Sequence, residues 1–378
     1  MSARLTVLLL GNYANDRVES MERFADTLRR GLPECGVDVE TIRPEPFIGR
    51  LKPSARGVGK WLGYFDKFLV FPFVLRRKLR AMRKPFVVHV CDHSNAHYVH
   101  FLQRAPHLVT CNDLLAIRSA RGEIPWHRTG RTGKILQWLI LGGLKRGKRF
   151  TCISEATRAD LLRIAGVNPA SVSVTYMGQN HPYSPMPRQD ALARLRVLLP
   201  FVDLSAFIFH VGNNDWYKNR LGVIRIYKAL RKTMPGAPPL VLAGKPFTPE
   251  MAALAEGMPV HPLVDVSNED LRALYSAASL LLFPSLAEGF GWPIIEAQAC
   301  GCRVVTSNRA PMTEVGGDAA IYIDPENEPA AAEAVRDALG RDAAERIEAG
   351  YKNAARFPTG RMVREYAGIY LELAEPAR

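Results

Sequence analysis

The sequence predicts two doubly wound parallel α/β domains. Three observations carry that expectation. Short apolar, β-branched runs alternate with longer amphipathic stretches along the chain. The runs are almost continuously apolar, as strands covered by helices on both faces must be. A segment with three prolines, HPYSPMPRQD (181–190), divides the 378 residues into two series of similar length.

In the first series, LTVLLLG (5–11) reads as a strand and SMERFADTLRRGL (20–32) as an amphipathic helix stopped before Pro33. VDVETIR (37–43), FVVHVCD (86–92), LVTCND (108–113), RFTCIS (149–154) and VSVTYMG (172–178) read as further strands. SEATRADLLRIAG follows the fifth, with Ser154 as N-cap and Gly166 as stop. In the second series the strands are AFIFHVG (206–212), PLVLAG (239–244), SLLLFPS (279–285), CRVVTSN (302–308) and AAIYIDP (319–325). Helices are expected over 220–233, 268–278 and 293–301, and the Ala- and Glu-rich remainder is helical. The expected domains are 1–185 and 186–355, with a last helix, 356–378, crossing back to the first domain. Ligands are expected at the carboxyl ends of strands and in the cleft between domains.

Apolar residues make up 47% and charged residues 23%, a folding rather than a disordered composition. No apolar run reaches the roughly 18 residues that a membrane-spanning helix needs. MSARLTVLLLGNY flows into a turn and reads as a first strand rather than a signal peptide. The six cysteines are sparse and sit mostly in strand-like runs, which fits buried thiols in a cytoplasmic protein.

The net charge of +13 is unevenly placed. Arg50 to Lys84 holds 11 basic residues against Asp66 alone, and Arg118 to Arg149 holds 9 against Glu123 alone. Large apolar side chains are interleaved with these cations: Trp61, Phe65, Phe68 and Phe73 in 50–84, and Ile135, Leu136 and Trp138 in 131–149. Such mixtures suit an anionic membrane surface or a lipid-linked acceptor. They would also suit stacked bases, although nucleic acid is not the expected partner, or a solvated basic face over a buried aromatic core.

The chemistry concentrates in FPSLAEGFGWPIIEAQACGCRVV (283–305). Glu288 sits at the carboxyl end of a strand. Gly289, Phe290 and Gly291 make a tight turn that lets backbone approach a ligand. Trp292-Pro293 opens a helix whose exposed N–H groups suit a phosphate. Glu296 falls in the first turn of that helix. Carboxylates beside a phosphate site are suited to sugar hydroxyls, so the set describes a nucleotide sugar.

This string resembles the E-x7-E donor-site signature of glycosyltransferase family 4, whose members retain anomeric configuration and have the GT-B fold. The resemblance implies that Glu296 holds the ribose and Glu288 the hexose hydroxyls. FHVGNNDWYKNRLGVIRIYKAL (209–230) is similar to the family's strand-loop-helix that reaches the donor diphosphate. It implies that Lys218 is the phosphate lysine and that Asn219 caps the helix. Asn213 stands where many members carry Arg, and Arg220 is a candidate to compensate. PLVLAGKPF (239–247) resembles the segment beside the base, where Lys245 and Pro246 would contribute backbone.

In the first half, Gly11, Asn12 and Tyr13 end the first strand, where family members bring a backbone loop to the transferred sugar or acceptor. Thr110-Cys111-Asn112-Asp113-Leu114 stands where the family reads T-C-H-D-L, with its His on the donor sugar. Asn112 is therefore an expected catalytic position beside Glu288 and Lys218, and Asp113 an acceptor-side one. HVCDHSNAHYVHFLQRAPHLVTCND is similar to sugar transferases of bacterial surface-polysaccharide assembly.

His93 and His97 are four apart with no HExxH glutamate between them, so His93 and Ser94 are read as cleft residues rather than metal ligands. No cofactor and no metal are expected. The function expected is retaining, metal-independent transfer of a hexose from a nucleotide sugar to a lipid-linked or polysaccharide acceptor. The expected place is the cytoplasm, peripheral on the inner face of the membrane. Two alternatives stand beside it: a nucleotide-sugar epimerase of the same fold, and a non-catalytic scaffold, which Asn112 and Asn213 motivate.

Overall fold

A computed structural model describes residues 4–16, 19–51, 57–83, 85–340 and 343–375. The chain divides into two compact units, Met1–Asn180 with Thr359–Arg378, and His181–Pro358. The proline segment belongs to the second unit: the His181 ring meets Glu269 Oε1 at 3.0 Å, and Met186 N donates to Ser276 Oγ.

In the first unit the strands are β1 (Thr6–Leu10), β2 (Asp38–Ile42), β3 (Phe86–Val90), β4 (His107–Cys111), β5 (Arg149–Cys152) and β6 (Val172–Val174). They pair in the order β2-β1-β3-β4-β5-β6, all parallel. Strand β4 is buried at every position, including His107 and Thr110, which is why its sequence shows no alternation of apolar and charged residues. The helices that cover the sheet bury Phe24, Leu75, Ile140, Leu144 and Leu161 against it. Helix Glu155–Ala165 is built as read: Ser154 Oγ accepts the Thr157 amide, and Gly166 ends it in the left-handed region.

The last helix, Thr359–Ala374, packs on this same sheet. Tyr366 meets Thr110 Oγ1 at 3.0 Å, and Tyr370 meets His89 Nδ1 at 2.8 Å. His89 is fully buried, and burial drives its pKa down to about 3, so it is a neutral core residue.

In the second unit the strands are β7 (Ile208–Gly212), β8 (Leu240–Gly244), β9 (Val260–Leu263), β10 (Leu280–Phe283), β11 (Val304–Ser307) and β12 (Ile321–Ile323). They pair in the order β12-β11-β10-β7-β8-β9, again all parallel. Strand β9 was not expected. It is a half-exposed edge strand carrying Pro262, and it lacks the apolar run that marks the others.

Both orders reverse direction once, between β1 and β3 and between β7 and β10. Loops leave such a point on opposite sides and open a crevice at the carboxyl ends of the strands.

Several helices lie where the sequence reading assigned none. Gly57–Phe65 and Phe71–Ala81 flank a π-helical turn, Asp66–Val70, within the basic segment 50–84. Of that segment, Lys52, Arg56 and Lys84 lie outside the described residues. Asp66 organises the remainder. It is buried and accepts the amides of Phe47 (3.0 Å), Ile48 (3.0 Å) and Gly49 (2.9 Å) and the phenol of Tyr13 (2.9 Å). Burial works to raise its carboxyl, but the four donors outweigh it and hold the group below the usual carboxylate range.

Replacing Asp66 with alanine strands three backbone N–H groups and a phenol. Asp66→Ala is expected to lower unfolding free energy by about 3–5 kcal/mol. Urea denaturation checks this, and a loss under about 1 kcal/mol would contradict the role given to Asp66.

Candidate functional site

Residues at the carboxyl ends of β7, β8 and β10 make the more organised of two polar clusters. After β7 the chain turns through Asn213 and Asn214 into a short 3-10 turn, Trp216–Lys218, and then helix Arg220–Thr233. Lys218 Nζ donates to both carboxylate oxygens of Glu288, at 2.7 and 2.9 Å. Both side chains are largely buried, at 16% and 8% exposed. The structure thus joins two residues 70 positions apart that were singled out separately. A partly desolvated pair of this kind holds two charges in fixed position at a strand end.

The helix Trp292–Ala299 starts beside Glu288, and Gly291 at its N-cap has φ +103°, a conformation that favours glycine. Gly244, at the end of β8, has φ +145°, and a Cβ there would lie 1.9 Å from the Gly212 carbonyl oxygen. The ends of β7 and β8 therefore approach more closely than any side chain allows.

Two expectations need correction here. Glu296 lies in the second turn of its helix, since Trp292 is the first helical residue. It is 5% exposed and accepts the Tyr275 phenol at 2.8 Å. Asn219 does not cap its helix through its side chain: it sits at φ 54° and donates from Nδ2 to the Pro284 carbonyl. Phe290 turns inward, 3% exposed, with its ring against Phe357.

Asn213 Oδ1 accepts the Asp215 amide at 3.2 Å, a local turn. The Lys245 carbonyl accepts from Arg220 Nη1 at 2.6 Å, and the Pro246 carbonyl accepts from Asn214 Nδ2 at 2.9 Å. His210, inside β7, is fully buried and donates Nδ1–H to the Leu282 carbonyl. Burial, and then the charges of Arg220 and Lys218, take its pKa down to about 3.

The second cluster lies in the first unit at the ends of β1, β3 and β4. Its centre is Asp92, which the sequence reading did not single out. Asp92 accepts from Asn12 Nδ2 (2.7 Å), Ser94 Oγ (2.6 Å), Ser94 N (3.0 Å) and Asn112 Nδ2 (3.4 Å), with His93 Nδ1 at 3.3 Å. Asn95 joins through Asn12 Oδ1 at 2.7 Å. Four expected site residues, Asn12, His93, Ser94 and Asn112, thus converge on one carboxylate. The available signal was the placement of an Asp directly after a buried strand, followed by three polar residues.

Asn112 also donates to Met21 Sδ at 2.9 Å, and its buried Oδ1 has no partner among the described residues. Gly11 carries the chain out of β1, its amide donating to the Ile42 carbonyl at 2.9 Å, and Asp113 accepts the Leu115 amide at 2.9 Å. Tyr13 departs from expectation. It is 4% exposed, and bonding to Asp66 draws its phenol into the interior. Among the described residues no three His, Cys, Asp or Glu side chains are grouped to hold a metal ion. None of the described helices is long and apolar enough to cross a membrane.

Burial would raise the Asp92 carboxyl, but the His93 charge, the Ser94 donors and the Asn12 amide together hold it below the usual range. The folded chain therefore binds this proton less readily than the unfolded chain. The stabilisation is complete above the ordinary carboxylate pKa of about 3.9 and is lost as pH falls through the lower folded value. Asp92→Asn is expected to cost about 1–3 kcal/mol at pH 7, and the gap to the parent should close in strong acid. Urea midpoints across pH 2–7 check this, and a gap independent of pH would contradict it.

Comparison with known proteins places this geometry in a family. The profile of "Glycosyltransferase Family 4" matches residues 21–181, and that of "Glycosyl transferases group 1" matches residues 199–356. O-antigen chain mannosyltransferase B of Escherichia coli is 27% identical over 66% of this chain and 65% of its own length. O-antigen chain mannosyltransferase RfbU of Salmonella typhimurium is 39% identical over 53% of this chain and 54% of its own. The chain thus matches just under two thirds of one relative's length and about half of the other's. Among solved structures, sucrose-phosphate synthase from Thermosynechococcus elongatus superposes with a TM-score of 0.76 at 17% identity, covering 98% of this chain and 99% of that one. Anabaena HepE in complex with UDP and glucose gives 0.70 at 16%, covering 96% and 98%. These likenesses show the GT-B fold. With both profiles matched in order along the sequence, the chain belongs to glycosyltransferase family 4.

Proposed function

We propose that this protein transfers a hexose, with retention of anomeric configuration, from a nucleoside diphosphate sugar to a lipid-linked or polysaccharide acceptor of a bacterial surface glycan. The Lys218–Glu288 pair carries the reading: a partly buried cation and carboxylate are held together at a strand switch point, beside a helix start. The cation suits the donor diphosphate and the carboxylate suits sugar hydroxyls. Glu296 takes the ribose hydroxyls, and the backbone around Gly289 and Gly291 takes phosphoryl oxygens. The relatives named as O-antigen mannosyltransferases make mannose the first sugar to try.

No carboxylate is assigned as a nucleophile. The bond from the anomeric carbon to the β-phosphate oxygen breaks while the acceptor hydroxyl oxygen bonds on the same face. The acceptor proton passes to the departing phosphate. Lys218 and the helix start stabilise charge building on that phosphate, so the reaction runs without a metal. In the first unit, Asn112 is held by Asp92 and assigned to the transferred sugar, Gly11 serves the donor, and Asn12, His93, Ser94 and Asp113 serve the acceptor side.

A thermal-shift panel including GDP-mannose and UDP-glucose is expected to find one stabilising donor for the parent, with stabilisation lost in Lys218→Ala. Glu288→Gln should still bind nucleoside diphosphate yet lose transfer at least 100-fold, about 2.7 kcal/mol of transition-state stabilisation. Stabilisation by no nucleotide, or a product of inverted configuration by proton NMR, would overturn the reading.

The acceptor side is proposed to dock on an anionic membrane. Helix Arg131–Leu144 exposes Arg131, Lys134, Ile135 and Trp138 along one face, with Trp138 71% exposed. A groove of about 440 Å³ beside it is lined by Ile117, Ile135, Trp138 and Leu141, with Lys134 and Arg121 among its walls. Helix Phe71–Ala81 likewise exposes Phe73 and Val74 with Arg76, Arg77 and Arg80. This would place the protein at the inner face of the membrane. Sedimentation with phosphatidylglycerol vesicles should fall at least fivefold in a Lys134→Glu, Trp138→Ala variant. Equal sedimentation of variant and parent would remove these residues from the surface.

A further inference from the structure

Asn213 occupies the position where a second cation was expected, and its side chain is spent on the Asp215 amide. Two residues beyond Lys218, Arg220 is 2% exposed, an unusual burial for a guanidinium. Its Nη1 bonds the Lys245 carbonyl at 2.6 Å and Asn214 Oδ1, tying together the loops that leave β7 and β8. Its Cζ lies 5.3 Å from the centre of the Phe247 ring. Among the described residues no carboxylate pairs with it, and its buried Nε and Nη2 have no hydrogen-bond partner. Lys218, by contrast, has Glu288.

Burying a guanidinium without a counter-charge is costly, and two orphaned N–H groups add to the cost. A bound anion removes both penalties. Lys218 and Arg220 also share a neighbourhood, because both charges act on the ring of His210 in β7. Helix Arg220–Thr233 begins at this residue, so its dipole adds positive potential there.

We infer that Arg220 is the second cation of the donor-diphosphate site, supplying Nε–H and Nη2–H to phosphoryl oxygen where Asn213 cannot. The inference rests on the donor-site reading given above. Nη1 fixes the fork between two loops, leaving the other edge of the guanidinium for the ligand. Asn214, Lys245 and Phe247 are then positioning groups, acting through Arg220.

The test is calorimetric titration of the full chain with inorganic pyrophosphate, UDP, GDP and the corresponding nucleosides. Arg220→Met is expected to weaken the diphosphate ligands at least tenfold and leave nucleoside binding within twofold. Adding Asn213→Arg to Arg220→Met should recover at least threefold, which a purely structural arginine would not allow. Should Arg220→Met fail to fold by circular dichroism, Asn214→Ala carries the test. That side chain is exposed, and its loss removes one of the two anchors of Nη1, so at least threefold weaker pyrophosphate binding is expected. Undiminished diphosphate binding in Arg220→Met, or in Asn214→Ala where it is the variant used, overturns the role of Arg220 alone. A parent chain that binds none of pyrophosphate, UDP or GDP overturns the donor-site reading and this inference together.

Discussion

Parallel strand pairing is the constraint on which the rest depends. Every pairing between strands is parallel, so all carboxyl ends of a sheet lie at one edge. Each sheet reverses its order once, and the loops on either side of the reversal part company. In the second unit the parting strands are β7 and β10, and Lys218 and Glu288 follow them. In the first unit they are β1 and β3, and Asn12 and Asp92 follow them. Chemistry-bearing residues far apart in sequence meet because topology leaves their loops nowhere else to go. The 2.7 Å contact between Lys218 and Glu288 expresses the sheet order as much as local sequence.

The close approach of β7 and β8 is a second consequence. Gly212 and Gly244 are register partners, and the missing Cβ of Gly244 lets the two exit loops touch. Arg220 can then reach the Lys245 carbonyl from the first turn of its helix. A side chain at position 244 would separate the loops and leave the guanidinium without its anchor. The glycine, the arginine and the loop carbonyl form one device, although the arginine lies 24 residues before Gly244 and 25 before Lys245.

Legibility in the sequence followed the strength of the local signal. Buried strands and the capped helix Glu155–Ala165 are visible because continuous apolar runs and an N-cap serine are short-range patterns. Strand β9 is not, because an edge strand needs no apolar run and here contains Pro262. Helices Gly57–Phe65 and Phe71–Ala81 are obscured because their sequences mix cations with aromatics. For the site, Glu288, Lys218 and the Gly-Phe-Gly turn were readable as a motif. Asp92 was not, since its importance comes from four donors on three different loops. Tyr13 was read as an acceptor-side residue because it ends the first strand, yet Asp66, 53 residues on, draws it inward. Residue identity shows what a side chain can bond, and only the fold shows what lies within reach.

The positive charge of this chain is of two physical kinds. The cations of 50–84 and 131–149 whose side chains are described are mostly exposed and interleaved with exposed Trp61, Phe73, Ile135 and Trp138. Water and salt screen them, so each contributes little alone and their effect is collective, as suits a diffuse anionic surface. Lys218 is largely buried and Arg220 fully so, and these two charges are poorly screened and few. Their effect is local and strong, as suits a single phosphate group at fixed distance. The net charge of +13 comes almost entirely from the first kind, whereas the proposed donor chemistry uses the second. Raising ionic strength should therefore loosen surface docking well before it loosens nucleotide binding, because a Debye length of about 8 Å at 0.15 M screens exposed charges but scarcely reaches buried ones.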